Sequence, residues 1–148
     1  MSRKPLRMHT LPAGIGGRQH MSQTALEFLD LFFVVFHTGF TLFVFGAWTI
    51  PRLRFAHRIA VALTAFSWFG LGLFTTIGYC PLTDWHWRVL RALGERGLPR
   101  SYVQYLVQRL VGLDVSAWLV DWVVGGAFAM SVIAAVWLWW RERNARTA

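Results

Sequence analysis

The sequence predicts an all-α membrane protein with three transmembrane helices and two short amphipathic helices between the second and third. Three uncharged runs carry this prediction: Leu31 to Ile50 (20 residues), Ile59 to Thr83 (25) and Trp122 to Trp140 (19). At about 1.5 Å of rise per residue, each run reaches about 30 Å, the hydrocarbon thickness of a bilayer. Composition agrees, with 55% apolar and only 15% charged residues in a chain of 148. A soluble fold would have to bury three helices that are hydrophobic all round, and so short a chain cannot cover them.

The formal charge of +8 does not point to nucleic acid. The arginines lie between and beyond the apolar runs, where they meet lipid phosphate. No basic helix, zinc-ligand spacing or RNA-binding motif accompanies them. One cysteine cannot form an internal disulfide.

Residues 1–24 read as a flexible polar tail broken by Pro5, Pro12, Gly14, Gly16 and Gly17. Its basic start resembles the head of a signal peptide, but the apolar run that follows is too long for one and suits an uncleaved anchor. Met21 is an alternative start. A single domain is expected over 25–141, with a basic tail at 142–148.

The first span is expected over about 25–50. Ser22 or Thr24 caps it, Glu27 and Asp30 suit its N-terminal dipole, and Pro51 ends it. Asp30, Val34, His37, Thr41 and Val44 fall at helical spacing on one stripe, which should face protein rather than lipid. Pro51 to Arg58 forms a basic hinge. The second span is expected over about 56–79, with His57, Thr64, Ser67 and Thr75 facing the His37 stripe. Cys80-Pro81 stops it. Interfacial helices follow at about 84–93, capped by Thr83, and at about 101–111, capped by Ser101. The third span is expected over about 115–140, closed by Trp137, Trp139 and Trp140 and then by Arg141, Arg143 and Arg146.

Three spans place the termini on opposite sides. Raw basic counts favour the N-terminal side, nine against six, yet the arginines of the hinge and the C-terminal tail lie closer to the membrane. The expected orientation is N-terminus out and C-terminus in, in a bacterial inner membrane.

Asp30, His37, Arg54, His57 and Cys80-Pro81-Leu82-Thr83, followed by Trp87, Leu90 and Arg91, resemble a family of small bacterial membrane proteins known as domain of unknown function 2784. The Cys-Pro-Leu-Thr motif is its most specific piece. The version running from Tyr79 to Trp87, with Ser101-Tyr102 and Gly112-Leu113-Asp114 downstream, is similar to a Bacteroidetes-type branch. The common form carries a glutamate shortly after the motif, where this chain has Trp85-His86-Trp87. The resemblance covers residues 29–139 and implies a threading through the membrane, but no activity.

The threading gathers Asp30, His37, Cys80, Asp84, His86 and Asp121 toward one membrane face as a candidate polar cluster. Each also has a structural reading: helix-terminal acids, a packed cysteine, and a histidine bonded to a neighbouring helix. Asp121 is expected to pair with Arg88, Arg91 or a backbone amide. No catalytic motif and no metal-ligand set is present. The reading that best fits is a noncatalytic accessory subunit of a larger membrane complex, in contact with lipid and with other subunits or a second copy. The alternative is a small redox or acid–base protein around His37, Cys80, Asp84 and Asp121. In that case His37 would ligate haem b or bind quinone, or Cys80 and His86 would form a reactive pair. No cofactor is required by the sequence. Proton or small-solute transport along Asp30, His37 and Asp121 is a further possibility.

Overall fold

A computed structural model describes residues 22–147, and all described secondary structure is helical. The expected tail at 1–24 falls almost wholly outside those residues, as does Met21. Helix α1 spans Gln23–Gly46, α2 Arg54–Ala65, α3 Pro81–Ala92, α4 Tyr102–Val111 and α5 Ala117–Thr147. Among the described residues, three stretches are long and apolar enough to cross a membrane: Gln23–Thr49, Pro51–Leu73 and Ala117–Arg146. Only 22% of the most apolar window of each is buried inside the chain, so most of this surface is left for lipid or other proteins.

α1 begins where the Ser22 hydroxyl accepts from the Ala25 N–H at 3.2 Å. Its buried residues are Asp30, Phe33, Val34, His37 and Val44. That is the expected stripe with Phe33 added and Thr41 half-buried. Two 3-10 turns, Ala47–Thr49 and Pro51–Leu53, carry the chain into α2. There His57, 1% exposed, bonds the Val44 carbonyl at 2.9 Å and ties the second span to the end of the first. Val44, Ala60, Val61 and Phe128 form the core where the three spans meet.

The second span ends at Leu73, well short of Tyr79. After Ala65 the helix widens into a π turn over Phe66–Gly70 and tightens into a 3-10 turn over Leu71–Leu73. The chain then doubles back. The Gly78 N–H reaches the Trp68 carbonyl at 3.2 Å, and the Ser67 hydroxyl donates to the Tyr79 carbonyl at 2.7 Å. A Cβ at Gly72 would stand 3.2 Å from the Ile77 backbone, so glycine permits this return. An apolar run that includes its own fold-back looks like one long helix to a hydropathy count.

α3 starts at Pro81 rather than Asp84. Proline suits the first helical position, where its missing N–H would have no partner anyway, so Cys80 takes the capping position and Thr83 lies inside the first turn. α4 starts next to Ser101, which makes no side-chain cap bond. It ends at Gly112, whose φ of 74° is left-handed. α5 does not stop at Trp140. It continues through the expected basic tail, where Glu142 bonds Arg58 at 2.9 Å and Arg54 at 3.3 Å and fastens the end of α5 to the start of α2.

α3 packs along the first half of α1, with Leu90 2% exposed, and α4 lies beside it. The Asp30–His37 part of the stripe is therefore covered by these two short helices, and of the polar residues of α2 His57 meets the stripe, at Val44. Thr64 and Thr75 instead return their hydroxyls to carbonyls four residues back in their own segment.

Candidate functional site

α1, α3 and α4 each contribute one or more polar side chains to a single buried cluster. Asp30 from α1 is its centre. Its carboxylate accepts from Arg109 of α4 through both oxygens, at 2.9 and 2.6 Å, and from His86 Nε2 of α3 at 2.7 Å. The other ring nitrogen of His86, Nδ1, lies 2.6 Å from the Tyr102 hydroxyl. Arg109 also donates to the Tyr105 hydroxyl.

The proton arrangement follows for a neutral ring. The Asp30 carboxylate takes the Nε2 proton, so a neutral His86 must accept at Nδ1, and the Tyr102 hydroxyl supplies that hydrogen. The Phe33 carbonyl, 3.5 Å from the same hydroxyl, is too far to compete. Burial holds His86 below its ordinary value, against the opposite pull of Asp30, which agrees with the neutral ring. Burial likewise pushes the Tyr102 and Tyr105 phenols up. The Asp30 bond holds Arg109 above its usual range.

Aromatic faces enclose the relay. Phe33 stacks on His86 at 5.2 Å between ring centres, and Trp87 packs against Tyr102 and Tyr105. His37 lies one step deeper, stacked on Tyr102 at 4.0 Å. Its Nδ1 and the neighbouring Thr38 hydroxyl are buried without a hydrogen-bond partner among the described residues.

Of the six residues expected to cluster, the structure brings Asp30, His37 and His86 together. Asp84 turns away and pairs with Arg88 one turn on, at 2.9 Å. Cys80 is half-buried at the start of α3. Among the described residues, His86 of the same helix is not available to it, because Asp30 and Tyr102 take both ring nitrogens. Asp121 is exposed on α5 and, among the described residues, has neither the expected arginine nor a backbone amide as partner. Tyr102, Tyr105 and Arg109 are members that the sequence reading did not select. Their spacing of three and four residues was a usable signal, since it places two phenols and a guanidinium on one face of α4.

Asp30, His86 and Tyr102 form a proton relay of the kind that activates a hydroxyl. Here that hydroxyl belongs to a tyrosine only 6% exposed, and His86 is 0% exposed. A shallow groove of about 370 Å³ beside the cluster is lined by Asp30, Tyr105 and Arg109, whereas His86 and Tyr102 lie behind them. For bis-histidine haem, His57 is tied to Val44 at the other end of α1 and so supplies no second imidazole beside His37. No group of three or more His, Cys, Asp or Glu suited to a metal ion occurs among the described residues.

Residues 27–141 match the family described as Protein of Unknown function (DUF2784). The chain belongs to that family. The matched stretch contains every member of the polar cluster, from Asp30 to Arg109. No curated protein and no solved structure shows a significant match to the chain. DUF2784 membership therefore brings a family and no activity.

Proposed function

We propose that the chain is a noncatalytic accessory subunit of a larger assembly in a bacterial inner membrane. The observation that carries this reading is the closure of the polar cluster. Asp30, His86, Tyr102 and Arg109 bond one another, and His86 and Tyr102 are buried, at 0% and 6% exposed. Such a network positions helices against one another.

The outer surface supports the same reading. Asp121 sits on α5 between Trp118 and Trp122, both well exposed. One turn on, a side chain added at Gly125 or Gly126 would meet nothing within 4 Å. A carboxylate beside a small-residue site suits a neighbouring helix that brings a donor and packs closely. In this reading the N-terminus faces out and the C-terminus in, because the arginines at 52, 54, 58, 141, 143 and 146 flank the span ends at one side.

Purification in mild detergent followed by mass spectrometry tests the proposal. The expected result is a stoichiometric membrane-protein partner that is lost in Gly126→Leu and Asp121→Leu. A chain that purifies alone and monomeric would overturn it. Self-association through this face would replace the hetero-subunit with a homo-oligomer.

A further inference from the structure

The end of the bundle opposite the Asp30 cluster carries a groove of about 460 Å³ between the first turns of α2 and the last turns of α5. Its floor is apolar: Phe55, Ile59 and Ala62 from α2, and Trp139 from α5. Its rim is basic. Arg58, Arg143 and Arg146 line it, and Arg54 stands beside them through the shared Glu142.

The rim is organised rather than a loose set of surface charges. Glu142 holds Arg58 at 2.9 Å and Arg54 at 3.3 Å, and Arg54 also donates to the Trp48 carbonyl. Arg143 lies over the Trp139 ring at 4.7 Å. A guanidinium has five N–H donors, so those spent on Glu142 leave others for a further acceptor. Arg54 and Arg58 share the Glu142 carboxylate, so that pairing keeps one positive charge, and Arg146 adds a second. The floor descends from this rim along spans that the bilayer surrounds, with Phe55 70% and Ile59 47% exposed.

A ligand that fits must be anionic at one end and hydrocarbon at the other. We propose that this groove binds an anionic phospholipid, with the phosphate against Arg58 and Arg146 and an acyl chain along Phe55, Ile59, Ala62 and Trp139. Guanidinium forks match phosphate oxygens in pairs, and basic pockets between spans favour anionic headgroups. A zwitterionic lipid fits less well, because its ammonium would meet the same excess of positive charge.

The test is native mass spectrometry of the full chain in mild detergent, offered equal amounts of phosphatidylglycerol and phosphatidylcholine. The expected result is one retained phosphatidylglycerol, preferred by about tenfold, a difference of about 1.4 kcal/mol. Arg146→Gln, at an exposed position outside the core, should reduce that preference, and Arg58→Gln with Arg146→Gln should bring it near parity. Ala62→Phe fills the floor and should abolish retention while the rim charges remain. Arg91→Gln on α3 should change nothing. Equal retention of both lipids by the unaltered chain would overturn the proposal, and so would indifference to Arg146→Gln and Ala62→Phe. Displacement by inorganic phosphate as effective as by lipid would assign the rim to free phosphate instead and also overturn it.

Discussion

A carboxylate that accepts from two guanidinium nitrogens and an imidazole has most of its lone-pair capacity occupied, and Asp30 is held in this way. Asp30→Asn would turn an acceptor into a partial donor facing Arg109 and His86. The variant should lose about 2–4 kcal/mol, the usual cost of breaking a buried charge-assisted pair, seen as a lower melting midpoint in detergent. Asp121→Asn, which breaks no hydrogen bond or ion pair among the described residues, is the matched control and should melt like the parent. His86 makes stability depend on pH. Burial sets its folded value below the ordinary 6.5, so the folded protein binds this proton less readily than the unfolded chain does. The contribution is therefore complete above about pH 6.5 and is lost as pH falls through the folded value. Melting midpoints should drop on acidification below about pH 6.5, and His86→Gln should flatten that part of the profile.

At the scale of elements, the placement of α3 and α4 decides the cluster. Neither is long enough to cross a membrane, and each is held by what it buries: His86 and Leu90 on α3, Tyr102 and Leu106 on α4. The turn after α4 sets where α5 can begin. Gly112 adopts a left-handed φ of 74°, and its N–H closes the last turn on the Gln108 carbonyl at 3.0 Å. Gly112→Ala should cost about 1 kcal/mol, because a Cβ disfavours that conformation. Hydrogen exchange should show the loss first in the amides at the end of α4, while those of α1 stay protected.

For the whole molecule, the decisive feature is that two fastenings lie at opposite ends of the bundle. Asp30 with His86 and Arg109 closes one end, and Glu142 with Arg54 and Arg58 closes the other. Three crossings then place Cys80 and the end of α5 on opposite sides of the bilayer. In sealed vesicles, a membrane-impermeant maleimide that reaches Cys80 from one side should reach Ala145→Cys, in a Cys80→Ser background, only from the other. Labelling of both from one side would rule out the three-span threading.

The number of spans, the polar stripe on α1 and the arginine-rich ends are local properties, since they follow from runs of hydrocarbon side chains and from helical spacing. They were legible without coordinates, as was the choice of Asp30, His37 and His86. The early end of the second span was not, because Gly72 and Ile77 meet through a reversal that keeps the sequence apolar throughout. Nor was the union of Asp30 with Arg109, separated by 79 positions. Any of five arginines near that end could have answered Asp30 by charge alone. Only the docking of α4 against α1 brings one of them within hydrogen-bond distance, since hydrogen bonds act over a few ångströms and sequence patterns do not encode long-range distances.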